Sequence, residues 1–200
     1  QRRDVMQSEE VSQLVTDMRH DVIYELIAKF IPENAMHEQW DIVGLHEESL
    51  RVLDLDLPLA EWAKEEGIAE EEIRDRVMEA SDAKIGAKKS AIGDDVMRRV
   101  EKSLLLQMID QGWRDHLAQL DSLRQAVNLR AFGQKTPLLE YQRESFDMFE
   151  ELLSGLRERV TGVLSRVALR REPAPEDLQP KAPAQMKAIK ENAQSGIGAG

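Results

Sequence analysis

No cysteine occurs among the 200 residues, which excludes a disulfide framework and any thiolate metal site. Aromatic side chains make up 4% of the chain against 42% hydrophobic residues in all, so a core must be assembled from aliphatic groups. No apolar run approaches the roughly 18 residues needed to span a bilayer, and Gln1-Arg2-Arg3-Asp4 does not lead into a signal-peptide core. A cytosolic chain is the simplest reading, and a Gln at the start of helical sequence suggests a piece cut from something larger. Positive charge is scarce in the first half. Residues 1–90 hold 11 Lys and Arg against 22 Asp and Glu, and the remainder 16 against 16, so the whole net charge of −11 sits in the first half. A phosphate backbone needs a basic face, which argues against nucleic acid as the main ligand.

Motifs for chemistry are missing too. The sequence holds no Gly-x-x-x-x-Gly-Lys-Ser/Thr loop, no Gly-x-Gly-x-x-Gly, no Gly-x-Ser-x-Gly and no His-Glu-x-x-His. His20, His37, His46 and His116 are scattered and read as solvated helix histidines, not ligands. No carboxylate pair stands out as acid and base, and Glu70-Glu71-Glu72 reads as a solvated helix start. The expectation is therefore no catalytic, cofactor or metal residue in this chain.

What is present is helical periodicity, predicting an all-α protein. Val11, Leu14, Val15, Met18, Val22, Ile23, Leu26, Ile27 and Phe30 mark a first helix closing before Pro32. Asn34 can cap a short helix through Trp40 that Gly44 ends, and another short helix follows through Leu50 and Val52. Asp54-Leu-Asp-Leu-Pro58 alternates too briefly for a strand, Pro58 suits the start of a helix holding Trp62, and residues 69–90 form a charged helix. Trp40, Trp62 and Trp113 all fall on apolar stripes and read as core.

Residues 94–167 read as one long helical hairpin. Val96, Met97, Val100, Leu104, Leu105, Met108, Ile109, Trp113, Leu117, Leu120, Leu123 and Val127 keep the three-and-four spacing of an amphipathic helix. About 36 residues at a 1.5 Å rise give roughly 54 Å. Gly112 marks a kink or a close helix crossing. After the loop Leu129–Pro137, Thr136 can cap and Pro137 can open a returning helix, whose stripe from Tyr141 to Val167 predicts helix to Arg171 before Pro173 and Pro175 end it. Two such arms pack antiparallel. Arg130, Ala131, Phe132, Gly133, Gln134 and Lys135 then sit at the tip as candidate contact residues. From Pro173 on, Pro, Ala, Glu, Gln, Lys and Gly predict a disordered linker.

Several blocks resemble a known family. Trp113-Arg-Asp-His-Leu, Asp121-Ser-Leu-Arg-Gln125, Asn128-Leu-Arg130, Gln134-Lys-Thr-Pro137 and Glu140-Tyr-Gln-Arg-Glu-Ser-Phe146 are similar to the carboxy-terminal part of SecA, the bacterial preprotein translocase motor ATPase. Trp40-Asp-Ile-Val-Gly-Leu45 and Asp54-Leu-Asp-Leu-Pro-Leu-Ala-Glu-Trp62 match in the same order. The resemblance implies that residues 1–17 end a long scaffold helix, 18–92 form a helical wing, 93–170 form the two-helix finger and 171–200 are linker. It implies a finger that enters the mouth of the SecYEG channel, touches the unfolded preprotein through the tip, and packs beneath the protein's own upstream motor and preprotein-binding domains, restraining ATP hydrolysis. Phe132 stands where the family usually carries Tyr, which keeps the aromatic face without the hydroxyl, and Gly133 stands where Ala is common.

ATP and Mg are implied for the full-length protein and neither for this chain, and zinc belongs to a carboxy-terminal segment absent from it. The implied location is cytoplasmic, peripheral to the inner face of the bacterial plasma membrane. Pairing of two copies stays open, as does a rival reading in which the hairpin is a structural brace or dimerisation element that never meets substrate.

Overall fold

The architecture follows from two apolar clusters and the helices that supply them. The computed structural model describes residues 8–33, 35–130 and 137–167, with side chains from residue 11 onward except those of 128–130 and 137. Six α-helices are found among these residues and no strand, so the chain is all-α. They run α1 (Ser8–Phe30), α2 (Ile42–Glu48), α3 (Leu59–Trp62), α4 (Glu70–Ile92), α5 (Asp94–Arg130) and α6 (Pro137–Arg166). A 3-10 turn at His37–Gln39 precedes α2, and a π turn at Ser49–Leu53 follows it.

The first cluster gathers Ile23 and Ile27 of α1 and Ile31 just after it with Leu45, Leu53, Leu59, Ile73 and Val77 of the short helical segments and α4. Each fully buried Leu or Ile contributes about 1.5–3 kcal/mol. Trp40 and Trp62 pack against its edge as the stripes predict. The second cluster joins Val11 and Val15 of α1, Ile85 of α4, Met97 and Leu105 of α5, and Leu156, Val160 and Leu164 of α6. Both α1 and α4 therefore run through the two cores without a break. Arg19, buried on α1, pairs with Asp82 of α4, and His20 Nε2 lies 3.0 Å from the same carboxylate. Partial burial opposes ionisation of Asp82, but the His20 contact and the Arg19 charge outweigh it and hold this carboxyl below its ordinary range.

Three boundaries differ from those predicted. The helix after Pro32 is shortened to the 3-10 turn, with Met36 directly before it, while Asn34, the predicted cap, lies outside the described residues. Gly44 does not end a helix; it lies in the first turn of α2, donating its N–H to the side chain of Asp41 at 2.9 Å. A Cβ at Gly44 would run into the Asp41 carboxylate and come within 2.6 Å of Phe30 Cε1, so glycine serves here for close approach. Gly44→Ala is expected to cost about 2–4 kcal/mol, combining overpacking with a disturbed cap, and a urea titration followed by circular dichroism checks it. A loss under about 0.5 kcal/mol would mean that Asp41 and Phe30 move aside freely.

The third difference is at α6, which stops at Arg166 and not at Arg171. Its last carbonyls are taken from outside the helix: Lys88 of α4 donates to Leu164, Ser165 and Val167. Gly93, at φ +89°, makes the tight joint between α4 and α5, its N–H donating to the Lys89 carbonyl at 2.8 Å. The linker predicted for 171–200 lies outside the described residues.

Candidate functional site

Helices α5 and α6 form the hairpin that the periodicity predicts, with Pro137 as the first residue of the returning arm. Their 37 and 30 residues pack against each other and, at the base, against α1. At 1.5 Å per residue the first arm reaches roughly 55 Å. Asp94 and Asp95 lie in the first turn of α5 and Glu140 in that of α6, where backbone dipoles favour negative charge.

The base of the hairpin is tied down. Leu105 and Val160 are fully buried, and side chains of α6 reach the lobe built around the first cluster. Arg157 donates to Glu25 at 2.8 Å, and Arg51 donates to Glu158 at 2.7 Å. Exposed pairs of this kind contribute about 0–1 kcal/mol each, so the aliphatic packing carries the attachment and the ion pairs orient it.

Further out the arms change character. Gly112 is a point of close crossing: α5 continues through it, and a Cβ there would lie 2.8 Å from Leu152 Cδ1 of α6. Just beyond it, Trp113, His116 and Phe149 form a chain of ring contacts, with centroids 5.6 and 5.9 Å apart. Trp113 is 48% exposed and Leu117 47%, so the prediction that Trp113 is core fails. His116 takes the inward position instead, at 4% exposure, and its Nδ1 has no hydrogen-bond partner. Phe146, Leu138 and Leu139 of the returning arm are each more than 60% exposed. A shallow groove of about 480 Å³ runs between the arms, walled by Ala118, Ser122, Leu123, Glu144 and Met148. The distal half of the hairpin thus presents apolar side chains that nothing in the described chain covers.

Of the four histidines only His116 departs from the solvated reading; His37 is exposed, and His20 and His46 are partly so. His116 is buried between rings, His20 and His46 face the carboxylates of Asp82 and Asp56, and His37 Nε2 lies 2.8 Å from the Ile68 carbonyl. Among the described residues no group of three or more His, Cys, Asp or Glu is placed to hold a metal ion, and no helix is long and apolar enough to cross a membrane.

The contact residues predicted at the tip divide at the end of α5. Arg130 is the last residue of that helix, its side chain outside the described set, and Ala131, Phe132, Gly133, Gln134 and Lys135 lie outside the described residues altogether. The burial of His116 escaped the periodicity argument because imidazole is not scored as apolar. Its signal is nonetheless present: positions 105, 109, 112, 116, 120, 123 and 127 continue a single three-and-four stripe.

The fold and the hairpin define a helical scaffold with an attached lobe of short helices. The chain belongs to the SecA wing and scaffold domain family, whose model matches residues 1–168. It is similar to the protein translocase subunit SecA of Afipia carboxidovorans, 52% identical over 184 residues that cover 92% of this chain and 19% of the relative. The corresponding subunit of Bradyrhizobium diazoefficiens is 53% identical over 169 residues, 84% of this chain and 18% of the relative. Protein translocase subunit SecA 1 of Nitrobacter hamburgensis is 51% identical over 184 residues, 92% and 19% respectively. The chain thus spans about a fifth of the length of the curated relatives it matches.

Proposed function

We propose that this chain is the scaffold and wing portion of a SecA-type preprotein translocase and that it works mechanically. ATP, with Mg, is hydrolysed in parts of the full-length protein outside this chain. The hairpin enters the cytoplasmic mouth of the SecYEG channel, and Phe132 at the tip, with Arg130, Ala131, Gly133, Gln134 and Lys135 beside it, grips the unfolded preprotein. The same scaffold packs beneath the motor and restrains hydrolysis until channel and preprotein engage. The full-length protein works in the cytoplasm and at the inner face of the plasma membrane.

The observation that carries this reading is the long hairpin, anchored at its base in a packed body and bearing uncovered apolar groups further out. A hairpin whose first arm reaches roughly 55 Å and whose returning arm leaves Leu138, Leu139 and Phe146 exposed is suited to contact outside its own domain. An aromatic tip grips extended polypeptide through its face, which suits substrates of any sequence. The exposed Trp113 and Leu117, well below the tip, are what the rival reading needs, in which the hairpin braces another domain or a second copy.

Site-specific crosslinking from position 132, in a full-length protein containing this chain, separates the two. A preprotein stalled in SecYEG should give a strong, ATP-dependent adduct. Crosslinks confined to the protein's own domains would leave the hairpin as a brace.

A further inference from the structure

Two helical segments end against α4, and two lysines of α4 receive them. Lys84 and Lys88 stand one turn apart. Lys84 Nζ donates to the Leu53 carbonyl at 3.3 Å and to both the carbonyl and the carboxylate of Asp54, the residue that ends the π turn in a left-handed conformation at φ 53°. Lys88 Nζ donates to the carbonyls of Leu164, Ser165 and Val167 at 2.9, 2.6 and 2.9 Å. An ammonium has three N–H donors, so each lysine is fully committed.

The acceptors have a common origin. They lie at the carboxyl ends of helical segments, where carbonyls lack partners within the segment and the backbone dipole is negative. Two such ends repel when brought together, and here they are close: a Cβ on Gly162 of α6 would lie 3.6 Å from the Val52 carbonyl of the π turn. The lysines of α4 supply the positive charge between them. Burial, and after it the charge of Lys84, push the Lys88 ammonium below the ordinary lysine range. Holding that charge in place is costly, and the three carbonyls offset the cost.

We propose that Lys88 locks the end of the hairpin's second arm to α4 while Lys84 locks the end of the π turn to the same helix, and that losing the Lys88 contacts releases the end of α6 while both cores stay folded. The Lys88 lock acts at one junction: Arg157 and Arg51 still tie α6 to the lobe two turns before its end when Lys88 is lost.

Amide hydrogen exchange on the full chain tests this. Lys88→Met keeps the aliphatic stem and removes the donors. Exchange across residues 163–167 should accelerate on the order of tenfold, with Ile23, Leu45 and Leu105 within about twofold of the parent. Lys84→Met should accelerate residues 49–54 and leave 163–167 unchanged. Lys88→Arg, which retains charge and donors, should remain near the parent and serves even if the Met variant does not fold. Unchanged exchange at 163–167 in Lys88→Met would overturn the lock, as would a uniform acceleration across both cores. An Arg variant as fast as the Met variant would show that stem packing, not donated hydrogen bonds, holds the arm.

Discussion

Replacing Phe132 with Ala in a full-length protein that carries this chain is expected to abolish most preprotein translocation while leaving the helices and nucleotide binding intact. The magnitude follows from the ring. Covering roughly 100 Å² of its face against an extended chain, at about 25 cal/mol per Å², gives about 2.5 kcal/mol, or a grip weakened about 70-fold. Phe132→Tyr preserves the face and should preserve transport. Circular dichroism should not change for either variant, because position 132 falls between the end of α5 and the start of α6. Transport by Phe132→Ala at the parent rate would remove the tip from the mechanism and favour the brace.

Leu105→Ala is expected to produce the largest loss of stability. Leu105 is 0% exposed, in the cluster where α1, α5 and α6 meet. Truncation there should cost about 2–5 kcal/mol, the sum of lost burial and the cavity left behind. With a urea dependence of about 2 kcal/mol per molar, the unfolding midpoint should fall by about 1–2.5 M. Leu117→Ala, made on a residue of the same helix that is 47% exposed, should stay within about 0.5 kcal/mol of the parent. Equal costs at the two positions would contradict the burial pattern that separates the base of the hairpin from its outer half.

The hairpin was legible in the sequence because its signals agree. The stripe from Met97 to Val127, Pro137 at the first position of the return, and the proline-free interval between them all specify two long arms. Gly112 was ambiguous, since glycine weakens a helix and also permits close approach; the Leu152 side chain opposite it resolves the choice. Trp113 and His116 were misassigned because hydrophobicity alone cannot tell a stripe's centre from its flank. Three residues along a helix turn the side chain by about 300°, enough to put the indole on the exposed flank and the imidazole inside. The end of α6 was illegible for another reason: its carbonyls are satisfied by Lys88, which is 76 positions from Leu164 in the sequence. No local pattern reports a partner at that separation. Of the tip residues, Arg130 closes α5, while Ala131, Phe132, Gly133, Gln134 and Lys135 lie outside the described residues and rest on the sequence and the family resemblance.

The passage of both α1 and α4 through the two cores has a kinematic consequence. One rigid rod joining two bodies leaves each free to spin about the rod. A second rod on a different axis removes that freedom. With Val11 and Ile23 of α1 anchored in different cores, and Ile85 and Ile73 of α4 likewise, torsion between lobe and hairpin requires one of these helices to bend or break. A torque delivered at either end therefore reaches the other as rotation of a single body.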